Sequence, residues 1–360
     1  MPAAFQPAPA PRIRRSNTLP ISVRRSVVEW LAIALLLASS LGSMVFYGGT
    51  RIWSAAPCMI LTALGLALVW LRPMLAEDLR QWRVPPGGWA ALALLAYAAI
   101  RLPFAAVPYD AYFELLELAT VVGAYFAWAE LSQRYRRWRF ILGLFLLVVS
   151  LLAWYAIIQH AHGTRMVLLR ERPEGYGMRA SGTFMCPNHF ADILAMASCL
   201  GLALVFTPAA GPILRILAGY TMAVSLPVLL LTQSRSGWIG AAAGMGVTVL
   251  LLAWRRSKWL FLITIVLLPL LLGGATALLW RHVPVFRDRM SAAIFENDGF
   301  AFRLQAIEDS MELVRAEPSL GHGGASFRWV YPKVKTRYFT KRVRYTHNEY
   351  VQTLVEYGAV

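Results

Sequence analysis

The chain has 360 residues, 58% of them hydrophobic and only 15% charged, with a mean hydropathy of +0.52. A soluble domain with a solvated surface does not carry that balance, so a membrane protein is expected. The formal charge of +16 does not point to nucleic acid, because the basic residues flank apolar runs or crowd one loop, as suits membrane orientation and contact with phosphate-bearing lipid. Cys58, Cys186 and Cys199 show no metal-ligand spacing, and neither a disulfide framework nor a zinc site is indicated.

In chain order, the first 20 residues hold five prolines together with Arg12, Arg14 and Arg15 and lack apolar periodicity. Residues 1–26 therefore read as a disordered, basic cytoplasmic tail. The run from Val27 to Tyr47 is long enough to span and has no convincing small-residue cleavage site, so it is not a signal peptide. A spanning helix needs about 20 mostly apolar residues. Such runs fall at about 27–47, 52–72, 88–108, 112–131, 138–160, 188–207, 213–232, 236–254 and 259–280, which assigns transmembrane helices 1–9 to residues 27–280. Residues 281–346 form one long loop, and 347–360 read as the start of a tenth span. About 14 residues do not cross a bilayer, so the sequence is expected to be truncated, with more spans beyond Val360.

Orientation follows from short-loop Lys and Arg. Arg24, Arg25, Arg72, Arg80, Arg83, Arg134, Arg136, Arg137, Arg139, Arg255, Arg256 and Lys258 fall on one side, which places the N-terminus in the cytoplasm. The long loop is then external; at over 60 residues its own basic charge lies outside the reach of that rule. A charge at the bilayer centre costs about 2.5–3.5 kcal/mol. Arg101, Glu114, Glu117, His160, Asp192 and Arg235 all fall toward the external ends of their spans. Each alone reads equally well as a residue snorkelling to water, but together they predict a polar cavity beneath the long loop. No internal repeat or matched pair of broken helices is apparent, which argues against a secondary transporter.

Three external stretches stand out: Ser181-Gly-Thr-Phe-Met-Cys-Pro-Asn188, Thr232-Gln-Ser-Arg-Ser-Gly237, and Arg303 to Gly358. Pro187 and Asn188 suit the start of a helix. Arg303 opens an amphipathic stretch with Leu304, Ile307, Met311 and Val314 at helical spacing, ended by Pro318. Gly321, Gly323 and Gly324 read as a turn, with a phosphate-cradling nest as the alternative, and His322 as loop structure. The chain then reaches His347-Asn348, nine residues, and Gly358.

Taken together, these residues resemble the O-antigen ligase family, which includes O-antigen polymerases and protein O-glycosylating oligosaccharyltransferases. The resemblance covers about Ser181 to Val360. The family signature is His, then Asn, Ser or Gln, nine residues, Gly, two residues, and Gly, Thr or Tyr; His347, Asn348 and Gly358 fit it, and its last position falls at residue 361. By order and spacing, the family's two essential arginines match Arg235 and Arg303.

The resemblance implies an all-α, GT-C-like polytopic fold with about ten spans visible, in the bacterial inner membrane. It implies transfer of a glycan from undecaprenyl pyrophosphate to a hydroxyl of an acceptor such as lipid A core, on the periplasmic face, with inversion. Arg235 and Arg303 offer bidentate, permanently charged forks for the departing pyrophosphate. A neutral His347 takes the acceptor's proton. Asn348, Asn188, Arg101 and Arg344 are expected to bind substrate.

No cofactor is implied, and because Gly48–Arg51 contains no acidic ligand, no divalent ion is expected to be required. Glu296 and Asp298 read as a charged, solvated turn rather than a metal site. The run Lys333, Lys335, Arg337, Lys341, Arg342, Arg344, interleaved with Tyr331, Tyr338, Phe339 and Tyr345, suits lipid phosphates or anionic sugars as well as a plain solvated loop. Alternatives to ligation are an O-antigen or exopolysaccharide polymerase and a protein O-oligosaccharyltransferase; outside enzymes, a polysaccharide or lipid transporter or an export scaffold.

Overall fold

A computed structural model describes residues 21–76, 84–133, 135–295, 298–336 and 343–359. Residues 1–20 of the expected tail at 1–26, Arg80, Arg83, Arg134, Glu296 and the basic run at 337–342 lie outside the described residues, while 21–26 are helical rather than disordered, as the first turns of the helix Ile21–Val45.

The chain is an all-α polytopic membrane protein. Its helices are α1 (Ile21–Val45), α2 (Ile52–Ala76), α3 (Gly88–Arg101), α4 (Pro108–Leu131), α5 (Tyr135–Ala161), α6 (Pro187–Val205), α7 (Pro212–Leu231), α8 (Arg235–Arg256) and α9 (Lys258–His282), followed by α10 (Pro284–Phe295), α11 (Asp298–Ala316), α12 (Phe327–Val330) and α13 (Glu349–Tyr357). Every expected span from 27 to 280 falls on a helix. Among the described residues, seven helices are long and apolar enough to cross a membrane: α1, α2 and α5 to α9. The third and fourth spans are weaker for physical reasons. α3 is short and runs into a 3-10 turn at Leu102–Phe104, whereas α4 has ample length but carries Asp110, Glu114, Glu117 and Glu130.

Successive helices alternate in direction, so their connections gather at two ends. At the loop end, the α1–α2 connection meets the segment before α6 through a bridge between Tyr47 and Phe184, and the Thr183 hydroxyl donates to the Met44 carbonyl at 2.7 Å. A hairpin of β1 (Met166–Val167) and β2 (Arg170–Glu171) lies there too. The Arg101 guanidinium donates to the Gly321 carbonyl at 3.0 Å, and Ala106 N–H donates to the His322 carbonyl at 2.9 Å. These contacts tie α3 and α4 to the long loop.

At the opposite end, Arg72 bonds Glu130 at 3.0 Å and Glu29 at 3.5 Å, and Arg137 pairs with Glu29. All four side chains are buried. Two carboxylates matched by two guanidinium groups are the form in which buried charge is tolerated.

The largest apolar cluster draws Met44 from α1, Val149 and Leu152 from α5, Phe190 and Leu194 from α6, Val228 from α7, Trp238 from α8 and Phe286 from α10. α9 buries none of its residues. The long loop has its own core of Ala306, Leu313, Phe327, Val330, Tyr331 and Val355. The buried face of α11 is shifted from the expected one: Leu304 is exposed and Ile307, Met311 and Val314 are half-buried, Val314 against this core, while Ala306, Asp309, Ser310 and Leu313 are fully buried. Small residues at 306 and 310 leave room for the Phe327 and Tyr331 rings. Asp309 is buried because Tyr331, Thr336 and Gln305 donate to its carboxylate at 2.9, 2.7 and 2.9 Å.

Where the sequence reads the start of a tenth span, the helix is α13, nine residues long, and it leaves helical geometry at Gly358, φ 78°. It packs on α11 and α12 of the loop. The spacing in the His-Asn-nine-Gly motif is therefore the length of one capped helix. Asn348 Oδ1 accepts from the N–H groups of Tyr350 and Val351 at 3.1 and 3.2 Å, capping its start. Gly358 ends it where a Cβ would stand 2.2 Å from the Ser319 carbonyl oxygen, so both its positive φ and its close approach require glycine.

Candidate active site

Non-glycine residues with left-handed backbone cost about 1–3 kcal/mol each and cluster where function holds them. Among the described residues these are Tyr47, Leu168, Gln233, Ala325 and His347. All five lie in connections at the loop end, in the α1–α2 loop, the β-hairpin, the α7–α8 turn and the long loop.

His347 has φ 58°. It is pinned from both sides by the buried Thr346, whose hydroxyl accepts from Asn348 N–H at 3.0 Å and donates to the Asn348 carbonyl at 2.6 Å. Its imidazole is pushed below its ordinary pKa, first by desolvation and then by the Arg303 guanidinium, with Glu349 opposing. Arg303, on α11, projects from an exposed position. The ring is thus kept neutral at pH 7, the form that accepts a proton.

Arg235 is placed by packing. It is the first residue of α8, whose start is capped by the Ser234 hydroxyl accepting Gly237 N–H at 3.3 Å. Three residues on, Trp238 stacks against Phe286 of α10, ring centres 5.0 Å apart. Arg289 follows Phe286 by three residues, on the same helical face. The aromatic pair therefore brings the two arginines together, and Arg235 adds to burial in lowering the Arg289 pKa.

A third arginine joins them from the segment before α6. Arg179 donates to the Thr232 carbonyl at 2.7 Å and to Asn188 Oδ1 at 2.5 Å. Its pKa is pushed down to about 10, by burial first and then by Arg289. The buried Arg172 shapes that segment, donating to the Gly177 carbonyl at 2.9 Å and the Ser181 hydroxyl at 2.6 Å. Among the described residues none of Arg172, Arg179, Arg235 and Arg289 forms an ion pair with a carboxylate. Arg289 Nε is buried without a hydrogen-bond partner. Converged cations of this kind, beside the N-terminus of α8, form a receptor for a multiply charged anion.

The remaining expected positions divide. Asn188 follows Pro187 in the first turn of α6, where Cys186 is the cap, and it buttresses Arg179. The Asn348 side-chain oxygen serves the α13 cap. Arg101 anchors the glycine turn. That turn is packing rather than a phosphate nest: a Cβ at Gly321 would stand 2.6 Å from the Glu356 carbonyl carbon, and one at Gly323 2.4 Å from Ala105 Cα. Arg344 is exposed and lines a cavity with Glu114, Glu117 and Glu356. Burial and the neighbouring Glu114 push the Glu356 carboxyl up to about 8.

Sequence reasoning missed Arg179, Arg289 and Glu356. Only the spacing from aromatic residues that pack (Phe286 to Arg289) offered a signal.

Residues 220–360 match the family model described as O-antigen ligase. Over those residues, which are less than half of the chain, it is similar to the O-antigen ligase family. No curated protein and no solved structure matches it. The match contains Arg235, Arg289, Arg303 and the whole capped helix α13, while Arg179 and the α3–α4 side of the loop end lie before it. That similarity points to an O-antigen ligase- or polymerase-like membrane glycosyltransferase.

Proposed function

We propose that the chain transfers a glycan from undecaprenyl pyrophosphate to an acceptor hydroxyl, that of lipid A core in the first instance, on the periplasmic face of the bacterial inner membrane. The N-terminus is then cytoplasmic and the loop end periplasmic. The observation that carries this reading is the gathering of Arg179, Arg235 and Arg289 without a paired carboxylate, at the same end as a neutral, backbone-strained His347 beside Arg303.

Cleavage of the sugar–phosphate bond builds negative charge on the departing pyrophosphate. Arg235, with Arg289 and Arg179 near it, and Arg303 offset that charge. His347 removes the proton of the acceptor hydroxyl as its oxygen attacks the anomeric carbon from the face opposite the pyrophosphate, so the configuration inverts. Both tasks use fixed protein charge and require no divalent ion.

The test is transfer by the purified protein from undecaprenyl-pyrophosphate glycan to defined acceptors: lipid A core, a second lipid-linked repeat, and a serine-containing protein. The reading expects inverted product on lipid A core. Product on one of the other two alone assigns the chain to the polymerase or protein-glycosylating branch, and none on any acceptor rejects transferase activity.

A further inference from the structure

The arginine receptor leaves a second space without a role. A cavity of about 640 Å³ opens between the start of α2, the first half of α4 and the Ala325–Glu356 region. Its chemistry differs from the receptor's: Arg51, Arg328 and Arg344 line it, but carboxyl groups share the wall with them, Asp110 pairing with Arg328. Glu114 and Glu117 come from α4 and Glu356 from α13. Glu356 is 4% exposed; its Oε1 accepts Phe327 N–H at 3.1 Å, while its Oε2 accepts no hydrogen bond among the described residues. Glu114 Oε1 accepts from the Tyr357 hydroxyl at 3.1 Å. Outside these acids stand aromatic rings, Tyr109 at 71% and Tyr345 at 58% exposure, and along α2 the wall turns apolar through Ile52 and Ile60.

Each feature narrows the occupant. Four carboxyl groups share this wall with three guanidinium groups, whereas Arg179, Arg235 and Arg289 have no carboxylate partner among the described residues, so the donor's pyrophosphate belongs with those arginines. Among the described residues these acids are not gathered as a metal-ligand set. A ring of hydroxyls fits them, since it donates to carboxylate oxygens and accepts from protonated ones while its C–H faces lie on aromatic planes. Ile52 and Ile60 are 70% and 60% exposed, a surface suited to an attached lipid chain. The cavity also borders the proposed base: Arg344 and Tyr345 before His347, and Gln352 and Glu356 after it, line the wall.

We propose that this cavity holds the sugar headgroup of the glycolipid acceptor, separate from the arginines that receive the donor's phosphates. The assignment rests on the transferase reading, and it divides the loop end into an acceptor side of mixed charge and aromatic rings and a basic donor side, with His347 at their border.

The test uses the full chain in lipid nanodiscs and two probes, a deacylated lipopolysaccharide core oligosaccharide for the acceptor side and farnesyl pyrophosphate for the donor side. Glu356→Gln keeps the shape and the Phe327 contact, and Tyr109→Ala alters an exposed ring that does not hold the fold. Each is expected to weaken oligosaccharide binding by about tenfold or more, the loss of one hydrogen-bonding or stacking contact, with farnesyl pyrophosphate binding unchanged. Oligosaccharide binding unchanged in both variants, or absent from the wild type, overturns the proposal, as does weakened farnesyl pyrophosphate binding. A wild type that binds the oligosaccharide but transfers nothing to its acylated parent keeps the cavity and rejects the transferase reading. Transfer with variants that bind the acceptor normally does the opposite.

Discussion

The two ends of the helix bundle handle charge in opposite ways. At one, Glu29, Arg72, Glu130 and Arg137 are buried and matched carboxylate to guanidinium. At the other, arginines crowd arginines, carboxyl groups crowd carboxyl groups, and five non-glycine residues hold left-handed backbone. A fold assembled for stability alone resolves such conflicts. One end therefore closes the bundle, and the conflicts held at the other are what a substrate with complementary charge would relieve.

Substitutions should separate the ends. Glu29→Ala leaves Arg137 without its buried carboxylate and should destabilise the protein by about 3–5 kcal/mol, read as a fall in melting temperature in detergent, while transfer per folded molecule stays at the wild-type level. A loss of transfer without a loss of stability would break the division. Arg235→Ala and Arg303→Ala should do the reverse, each slowing transfer by about 100- to 1,000-fold with no fall in melting temperature; wild-type rates in both would remove the arginine receptor. Asn348→Ala should cost about 1 kcal/mol through the lost cap of α13, with Asn348→Ser retaining most of it, since serine also caps. A loss of donor affinity in the Ala variant at unchanged stability would instead make Asn348 a binding residue. The smallest effect is expected from excess chelator, which should leave transfer unchanged; a loss restored by magnesium would mean that the arginines do not suffice.

How much was legible in the sequence differs between the same two ends. Seven of the nine expected spans were legible from apolar length. α3 and α4 blurred because their polar residues serve the loop end, so length and hydropathy understate them. His347, Arg235 and Arg303 were legible only through a resemblance. The physical content of that motif, a helix with Asn at one cap and Gly at the other, needed the fold to show why nine residues separate them. Arg179 and Glu356 were not legible, because each acquires its meaning from a neighbour far away in the chain: Thr232 for the first, Glu114 for the second. The buried face of α11 is only partly legible, because periodicity counts large apolar residues such as Val314, whereas the loop core also closes over Ala306 and Ser310.

The account turns on His347, and the pH dependence of transfer tests it most directly. Partial desolvation and Arg303 hold the pKa of this exposed residue below the usual histidine value, so the ring is a neutral base through neutral pH and becomes protonated only as pH falls through that lowered pKa. Transfer by the wild type should be level above that pH and fall about tenfold per pH unit below it, and His347→Ala should be slower by about 100- to 10,000-fold with the acid limb gone. Full activity in His347→Ala, or an acid limb that persists unchanged in it, would contradict the assignment of His347 as the base.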